Sequence, residues 1–329
     1  MKRILYGGGL PPADAPAAER YLASHGIEMV QRLLGRHQTV AELMVNLKDI
    51  DGSIAGGEPY TRAVMDSAPR LKVISRVGVG YDTIDIPAAT AKGIYVTVTP
   101  IPELSIAIAE HAMALMLSMT KKIPQRDKEV RAGIWDSAGA SSLQDVYGLT
   151  LGLLGVGRIG AEVAKRAKGF EMKIIYYDVV RRTDLEASLG LRYVSLDELL
   201  STSDVVSVHT PLTPQTRGLL NDANVRKMKK NAVLVNTARG PIMDDNAVAA
   251  ALREGRIFGA SLDVLSEEPP SERHVFYKAG DGYPNLILTP HVGISDRTMT
   301  AMVMAAAEEA QRVVNGEAPR YPVNLLAKK

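Results

Sequence analysis

At 329 residues the chain is too long for one ordinary core and predicts two domains; 46% hydrophobic and 23% charged residues are the values of a soluble globular protein. A formal charge of +2, with no long basic tract, leaves tight nucleic-acid binding without electrostatic support, and the absence of cysteine excludes a disulfide framework, a thiolate nucleophile and a cysteine metal site. The most apolar stretch, Ser105 to Met119, is broken by Glu110 and His111 and is too short to span a bilayer, and Met1 to Tyr6 runs into Gly7-Gly8-Gly9 with no room for a secretory apolar core. A cytoplasmic location fits these features.

In chain order, short buried strands are expected at Ile27 to Val30, Gly52 to Ala55 and Val73 to Ser75, with helical patterns at Ala17 to His25 and Ala63 to Ala68 between them. This alternation predicts parallel βαβ units. A long helix rich in Ala, Met and Leu follows over Ile106 to Lys121, apolar on more than one face and so buried on several sides or against another subunit. After a loop from Gly133 to Tyr147 a second alternating unit begins at Thr150. Its strands are expected at Leu151–Leu154, Lys173–Tyr177, Val205–His209, Ala232–Asn236, Gly259–Leu262 and Leu286–Leu288. Helices are expected at Gly160–Lys168, Ser195–Thr202, Asp222–Lys227 and Asp244–Glu254. Six strands with crossover helices describe a doubly wound dinucleotide-binding domain. A last helix, Asp296 to Asn315, would return to the first domain and make it discontinuous. No repeat and no low-complexity tract interrupts the pattern.

Gly155-Val156-Gly157-Arg158-Ile159-Gly160 stands between the apolar run Leu151 to Leu154 and a helix. In that context the first glycine permits a tight turn, the second lets a diphosphate approach the backbone, and the third lets helix and strand pack closely. Free N–H groups at the helix start would hold the diphosphate. Asp178 ends the next strand, about 20 residues on, where a carboxylate accepts from both ribose hydroxyls and repels a 2′-phosphate. Arg181 and Arg182 nearby read as solvated loop charges; the alternative is that they tolerate NADP.

Four further segments carry a resemblance: Arg76-Val77-Gly78-Val79-Gly80-Tyr81-Asp82, Asn236-Thr237-Ala238-Arg239-Gly240, Asp263-Val264-Leu265-Ser266-Glu267-Glu268-Pro269 and Thr289-Pro290-His291-Val292-Gly293. In this order, with the glycine loop between the first and the second, they resemble the D-isomer-specific 2-hydroxyacid dehydrogenases over essentially the full length. Ala55-Gly56-Gly57-Glu58-Pro59 and Leu71 to Arg76 are most similar to the phosphoglycerate dehydrogenase and glyoxylate/hydroxypyruvate reductase branches. The resemblance implies an α/β fold of two doubly wound parallel-sheet domains. A Rossmann NAD-binding domain (104–292) would be inserted in a smaller flavodoxin-like substrate domain (1–103, completed by 293–329). It also implies a homodimer, as the relatives form, built largely on Ile106 to Lys121.

The chemistry of these segments can be read independently. A 2-oxo acid needs a cation for its carboxylate and carbonyl, and a proton donor beside the carbonyl oxygen. Arg239 and His291 both follow strands, where open α/β sheets place their ligand crevice. A guanidinium suits bidentate carboxylate recognition, imidazole suits proton exchange near neutral pH, and a carboxylate such as Glu268 favours the protonated ring. The resemblance gives Arg239, Glu268 and His291 these same roles. His209, after another strand, is the competing histidine; the resemblance puts it near adenine with Thr210 and Pro211. It further implies that the N–H groups of Val79 and Gly80 hold the substrate carboxylate and that Asp263 bonds the nicotinamide carboxamide. Thr237 and Ala238 would contact NAD through backbone atoms, joined by Gly293, and Arg76 would reach a substrate phosphate or acid or else brace the loop beneath it. No metal is required.

The chain departs from its relatives at Glu171 and Pro241, where glycine is common, in a longer and more apolar Thr99–Glu110 segment, and in an extended Ser271–Pro284 loop. No regulatory domain is expected after Lys329. The favoured function is hydride transfer between nicotinamide and C2 of 3-phosphoglycerate or of glyoxylate/hydroxypyruvate. The alternatives are a formate- or phosphite-type dehydrogenase on the same scaffold and an NAD-sensing protein resembling the corepressors.

Overall fold

The computed structural model describes residues 1–32, 35–136, 143–277 and 282–326. Two compact units divide the chain: Met1–Leu104 with Ser295–Lys329, and Ser105–Ile294. Parts of the loops expected at 133–147 and 271–284 lie outside the described residues.

In the first unit five strands pair in parallel: β1 (Lys2–Tyr6), β2 (Ile27–Gln31), β3 (Gly52–Ala55), β4 (Val73–Arg76) and β5 (Tyr95–Thr97), in the order β2-β1-β3-β4-β5. That is a doubly wound order whose direction reverses between β1 and β3. Two of the five, β1 and β5, escape the sequence pattern. β1 opens on Lys2 and Arg3, and only Ile4, Leu5 and Tyr6 are apolar, a run too short to show a period. Its partners are long-range: Arg3 pairs with Glu28 of β2, and its N–H donates to Asp51. β3 is buried at every position, as expected of a parallel strand covered on both faces. The helix Asp296–Val314, capped by Ser295 through the Thr298 N–H, lays Met302, Val303, Ala306, Ala307 and Ala310 against β3, β4 and the helix Ala15–Ser24.

Seven parallel strands form the sheet of the second unit among the described residues. They are β6 (Thr150–Leu154), β7 (Lys173–Tyr177), β8 (Arg192–Tyr193), β9 (Val205–Val208), β10 (Val233–Asn236), β11 (Gly259–Leu262) and β12 (Leu286–Leu288), ordered β12-β11-β10-β9-β6-β7-β8. The six expected strands are present. The seventh, β8, is a two-residue exposed edge strand beyond the reach of pattern reading. The direction of winding reverses between β6 and β9, so the loops at their carboxyl ends flank the place where such sheets take a ligand.

The long helix begins at Pro102 rather than Ile106 and ends at Thr120. Pro102 suits a first turn, where its missing N–H costs no hydrogen bond. Ala109, Ala112, Met113, Met116 and Met119 are buried, while Ile106 remains 37% exposed. Glu171 has φ 57°, which explains why glycine would be the easier residue there.

Candidate active site

The glycine loop closes β6 onto the helix Arg158–Gly169. Gly155, at φ +91°, lies so close to the neighbouring crossover that a Cβ would stand 2.8 Å from the Thr210 nitrogen and 2.9 Å from the His209 carbonyl. At Gly160 a Cβ would run into the Gly155 carbonyl, whereas at Gly157 it would meet nothing within 4 Å. The loop is thus tight on two sides and open on the third. The helix start has no side-chain cap, so its N–H groups remain for an anion. Asp178, at the end of β7, accepts the Val156 N–H on Oδ2 (2.8 Å) and the Val180 N–H on Oδ1 (3.2 Å). Arg181 and Arg182 are not simply solvated. Arg181 pairs with Glu186 through two nitrogens, while Arg182 pairs with Asp184 and donates to the Val156 carbonyl.

At the carboxyl end of β10 the buried Asn236 ties its own turn. Its Oδ1 accepts the Ala238 N–H (3.0 Å) and its Nδ2 donates to the Arg239 carbonyl (3.1 Å). The half-buried Arg239 donates from Nη1 to the Ala238 carbonyl, and Thr237 Oγ1 is buried with no partner among the described residues. Gly240 follows directly, with no room for a side chain: a Cβ there would fall inside the Leu265–Ser266 peptide. The turn carrying Arg239 and the loop carrying Glu268 are therefore in backbone contact.

His291 stands after β12 at φ 55°, a conformation uncommon for a non-glycine residue and so a pointer to function. Its N–H donates to the Asp263 and Thr289 carbonyls. Its Nδ1 lies 2.7 Å from Glu268 Oε2, while Glu268 Oε1 accepts the Leu265 N–H (2.9 Å). Burial pushes the Glu268 carboxyl up. The His291 hydrogen bond and charge, the Leu265 N–H and the Arg239 charge more than offset this, and it sits below the usual carboxylate range. Arg239, Glu268 and His291 are thus brought together.

Asp263, at the end of β11, is buried and fastens the His291 segment. Its Oδ1 accepts Thr289 Oγ1–H (2.5 Å) and the Val292 N–H (3.0 Å), and lies 3.2 Å from His111 Nε2. Burial opposes its ionisation, but His111, Thr289 and Val292 outweigh it and hold the carboxyl below its ordinary range. Gly293 leaves space beside Asp263 Oδ2, 3.3 Å from where its Cβ would be. His111 and Thr289 have no role in the sequence reading. His111 looked like a mere interruption of an apolar helix, although a polar residue on the buried side of such a helix is itself a signal.

His209, the competing histidine, is held by Ser207 Oγ (2.8 Å), and burial pushes its pKa down to about 4. It is therefore neutral at physiological pH and poorly suited to donate a proton to a substrate. In the first unit, Val79 and Gly80 follow β4 on a loop pinned by Thr99, whose Oγ1 accepts the Gly78 N–H (2.7 Å). Arg76 turns back to donate to the Val77 carbonyl, beneath that loop. No group of three metal-ligating side chains occurs among the described residues, and no helix there is long and apolar enough to cross a membrane.

These features fit a dinucleotide: an open glycine loop at an uncapped helix start, a carboxylate at the end of β7, and an orphaned buried hydroxyl at Thr237. Comparison with known proteins agrees. Residues 113–293 match the family described as "D-isomer specific 2-hydroxyacid dehydrogenase, NAD binding domain". The chain is 44% identical over 291 residues to a glyoxylate reductase of Thermofilum pendens, covering 86% of this chain and 84% of that one. It is 41% identical over 290 residues to a D-3-phosphoglycerate dehydrogenase of Methanocaldococcus jannaschii, covering 87% of this chain and 54% of that one. Among solved structures it is similar to the D-lactate dehydrogenase of Aquifex aeolicus complexed with NAD and lactic acid (TM-score 0.85, 29% identity, 96% of each chain). With its two doubly wound sheets and its dinucleotide loop, the chain belongs to the D-isomer specific 2-hydroxyacid dehydrogenase family and is an NAD-dependent oxidoreductase acting on CH–OH donors.

Proposed function

We propose that the chain reduces a short 2-oxo acid of the glyoxylate or hydroxypyruvate kind with NADH, and oxidises the corresponding 2-hydroxy acid in reverse. The observation that carries this reading is the 2.7 Å pair of His291 Nδ1 and Glu268 Oε2, with the charge of Arg239 acting on the same carboxylate. Because Nδ1 faces Glu268, Nε2 is the nitrogen that exchanges a proton with the substrate oxygen. In reduction the protonated ring donates from Nε2 to the carbonyl oxygen, and Glu268 steadies the imidazolium until that transfer. Arg239 orients the substrate and stabilises charge developing on the oxygen. When bound, the nicotinamide supplies or accepts the hydride at C2. The N–H groups of Val79 and Gly80 serve as carboxylate ligands. Asp263 recognises the carboxamide; Gly155, Gly157, Arg158, Ile159 and Gly160 cradle the diphosphate; Thr210, Pro211, Thr237, Ala238 and Gly293 line the cofactor. Arg76 donates to the Val77 carbonyl of its own loop, and the likeness to glyoxylate reductases favours a substrate without phosphate over 3-phosphoglycerate.

Initial rates at 340 nm test this. Glyoxylate or hydroxypyruvate should be reduced, and NADH should exceed NADPH by at least about tenfold in kcat/KM, since one charged contact is worth ~1.5–3 kcal/mol. Asp178 supports the preference, as does the engagement of Arg181 and Arg182 by Glu186 and Asp184. Formate- or phosphite-dependent NAD reduction without 2-oxo acid reduction, or peptide binding without turnover, would overturn the reading.

We also infer a two-fold homodimer formed largely by residues 106–121. Supporting it are exposed apolar side chains at Ile106 on that helix and, in the segment that follows it, at Ile123 (56%), Val130, Ile134 and Trp135 (85%). Light scattering at micromolar concentration should give twice the chain mass; a monomer contradicts it. The absence of cysteine supports a cytoplasmic location.

A further inference from the structure

We propose that Asp245 and His274 are positioning residues that hold the Glu268 loop in register with Arg239 and His291. The inference rests on the reading of Glu268 and His291 as an acid–base pair. The Glu268 side chain is 37% exposed on a loop, where chains are ordinarily most mobile. Yet its carboxylate must stay within hydrogen-bond reach of His291, and catalytic groups keep such geometry only when their support is fixed.

The support is visible two residues before it. Asp245, the first residue of the helix Asp245–Arg253, is buried, and its Oδ2 accepts from three donors: Ser266 N–H (3.0 Å), Ser266 Oγ–H (2.6 Å) and His274 Nε2 (2.8 Å). The Phe276 N–H donates to His274 Nδ1 (3.3 Å), which places the ring proton on Nε2, facing Asp245. His274 in turn is anchored through Phe276, which is buried in the core and packs edge-on against Tyr283 at 5.6 Å between centroids. Asp244 turns its own carboxylate to the helix N–H groups and takes no part.

On its other side the same loop peptide rests on Gly240, the residue after Arg239, with no space between them for a methyl group. Leu265–Ser266 is therefore clamped between the Arg239 turn and the Asp245–His274 anchor. The clamped Leu265 N–H then aims Glu268 by donating to its Oε1. Arg239 and His291 are the charged groups facing Glu268, and His274 is the titratable side chain facing Asp245. Neither Asp245 nor His274 touches the reacting atoms in this account; both act through Glu268.

The test is a double-mutant cycle on the intact enzyme, reading NADH-dependent glyoxylate reduction across pH together with NADH affinity by fluorescence. Ser266→Ala should lower kcat about 3- to 10-fold and Asp245→Asn roughly 10- to 100-fold, with NADH affinity changed by less than about twofold. The alkaline fall of activity should begin at lower pH in both, as in Glu268→Gln. His274→Gln, whose amide can donate where Nε2 does, should lose less than His274→Ala. In a Glu268→Gln background the same substitutions should each cost less than about twofold, because the group they position is already disabled. Equal losses in both backgrounds would reduce Asp245 and His274 to structural residues and overturn the proposal. Wild-type rate and pH profile in Glu268→Gln alone would overturn the acid–base reading instead, and the positioning role with it. Should Asp245→Asn fail to fold, Ser266→Ala decides the cycle, since it removes one donor and leaves the backbone bond in place.

Discussion

Replacing His291 with Ala is expected to lower turnover by roughly 10²–10⁴-fold, the usual worth of a positioned general acid. The loss falls on the chemical step. The glycine loop, Asp178 and Thr237 are untouched by the substitution, so NADH should bind as before. The backbone is not expected to rearrange, because the His291 N–H bonds to Asp263 and Thr289 are main-chain and survive in alanine. The positive φ at this position is tolerated less well by alanine than by glycine, so His291→Gly is the control for strain. Full activity in both variants would return the proton to another group, and His209 is disfavoured for that role because burial holds it neutral.

Arg239→Ala should fail differently. Removing a preorganised donor to a developing oxyanion costs about 10²–10³-fold in kcat, and losing a charge-assisted contact to the substrate carboxylate raises KM about tenfold or more. Both parameters therefore worsen, where His291→Ala should spare KM. Arg239→Lys should recover little, since an ammonium cannot reproduce the planar fork. A second effect is structural. The Arg239 charge helps hold Glu268 below the usual carboxylate range, so its loss weakens the support of His291 as well. A kcat unchanged in Arg239→Ala, with only KM raised, would assign the residue to binding alone.

Much of this site is legible in the sequence because its parts are local. The glycine loop announces itself by three residues at fixed spacing after an apolar strand, and Arg239, Glu268 and His291 each lie within a short distinctive segment. What the sequence hides is whatever depends on residues far apart in the chain. Asp245 looks like the second half of an acidic helix start. Only the folded chain shows its carboxylate turned to Ser266 and His274, 21 and 29 residues away. His111 likewise meets Thr289 across 178 residues. The strands β1, β5 and β8 escape for a related reason: two to five residues carry no measurable period, and their pairing is decided by neighbours. Pro102 conceals the start of its helix because proline reads as a breaker unless its position in the first turn is known.

The pairing of Glu268 with His291 is the centre of the account, and the pH dependence of reduction in Glu268→Gln tests it most directly. In the wild type the Glu268 carboxyl is held below the ordinary range, so it is ionised throughout the neutral region, and its negative charge favours the protonated ring that reduction requires. The amide keeps a hydrogen bond to Nδ1 but carries no charge. Proton loss from His291 then becomes easier, and activity should begin to decline at a lower pH than in the wild type while NADH affinity stays the same. A profile of glyoxylate reduction that begins to fall at a lower pH than in the wild type is the predicted result. A decline at the same pH as in the wild type would contradict the pairing as the source of the catalytic proton.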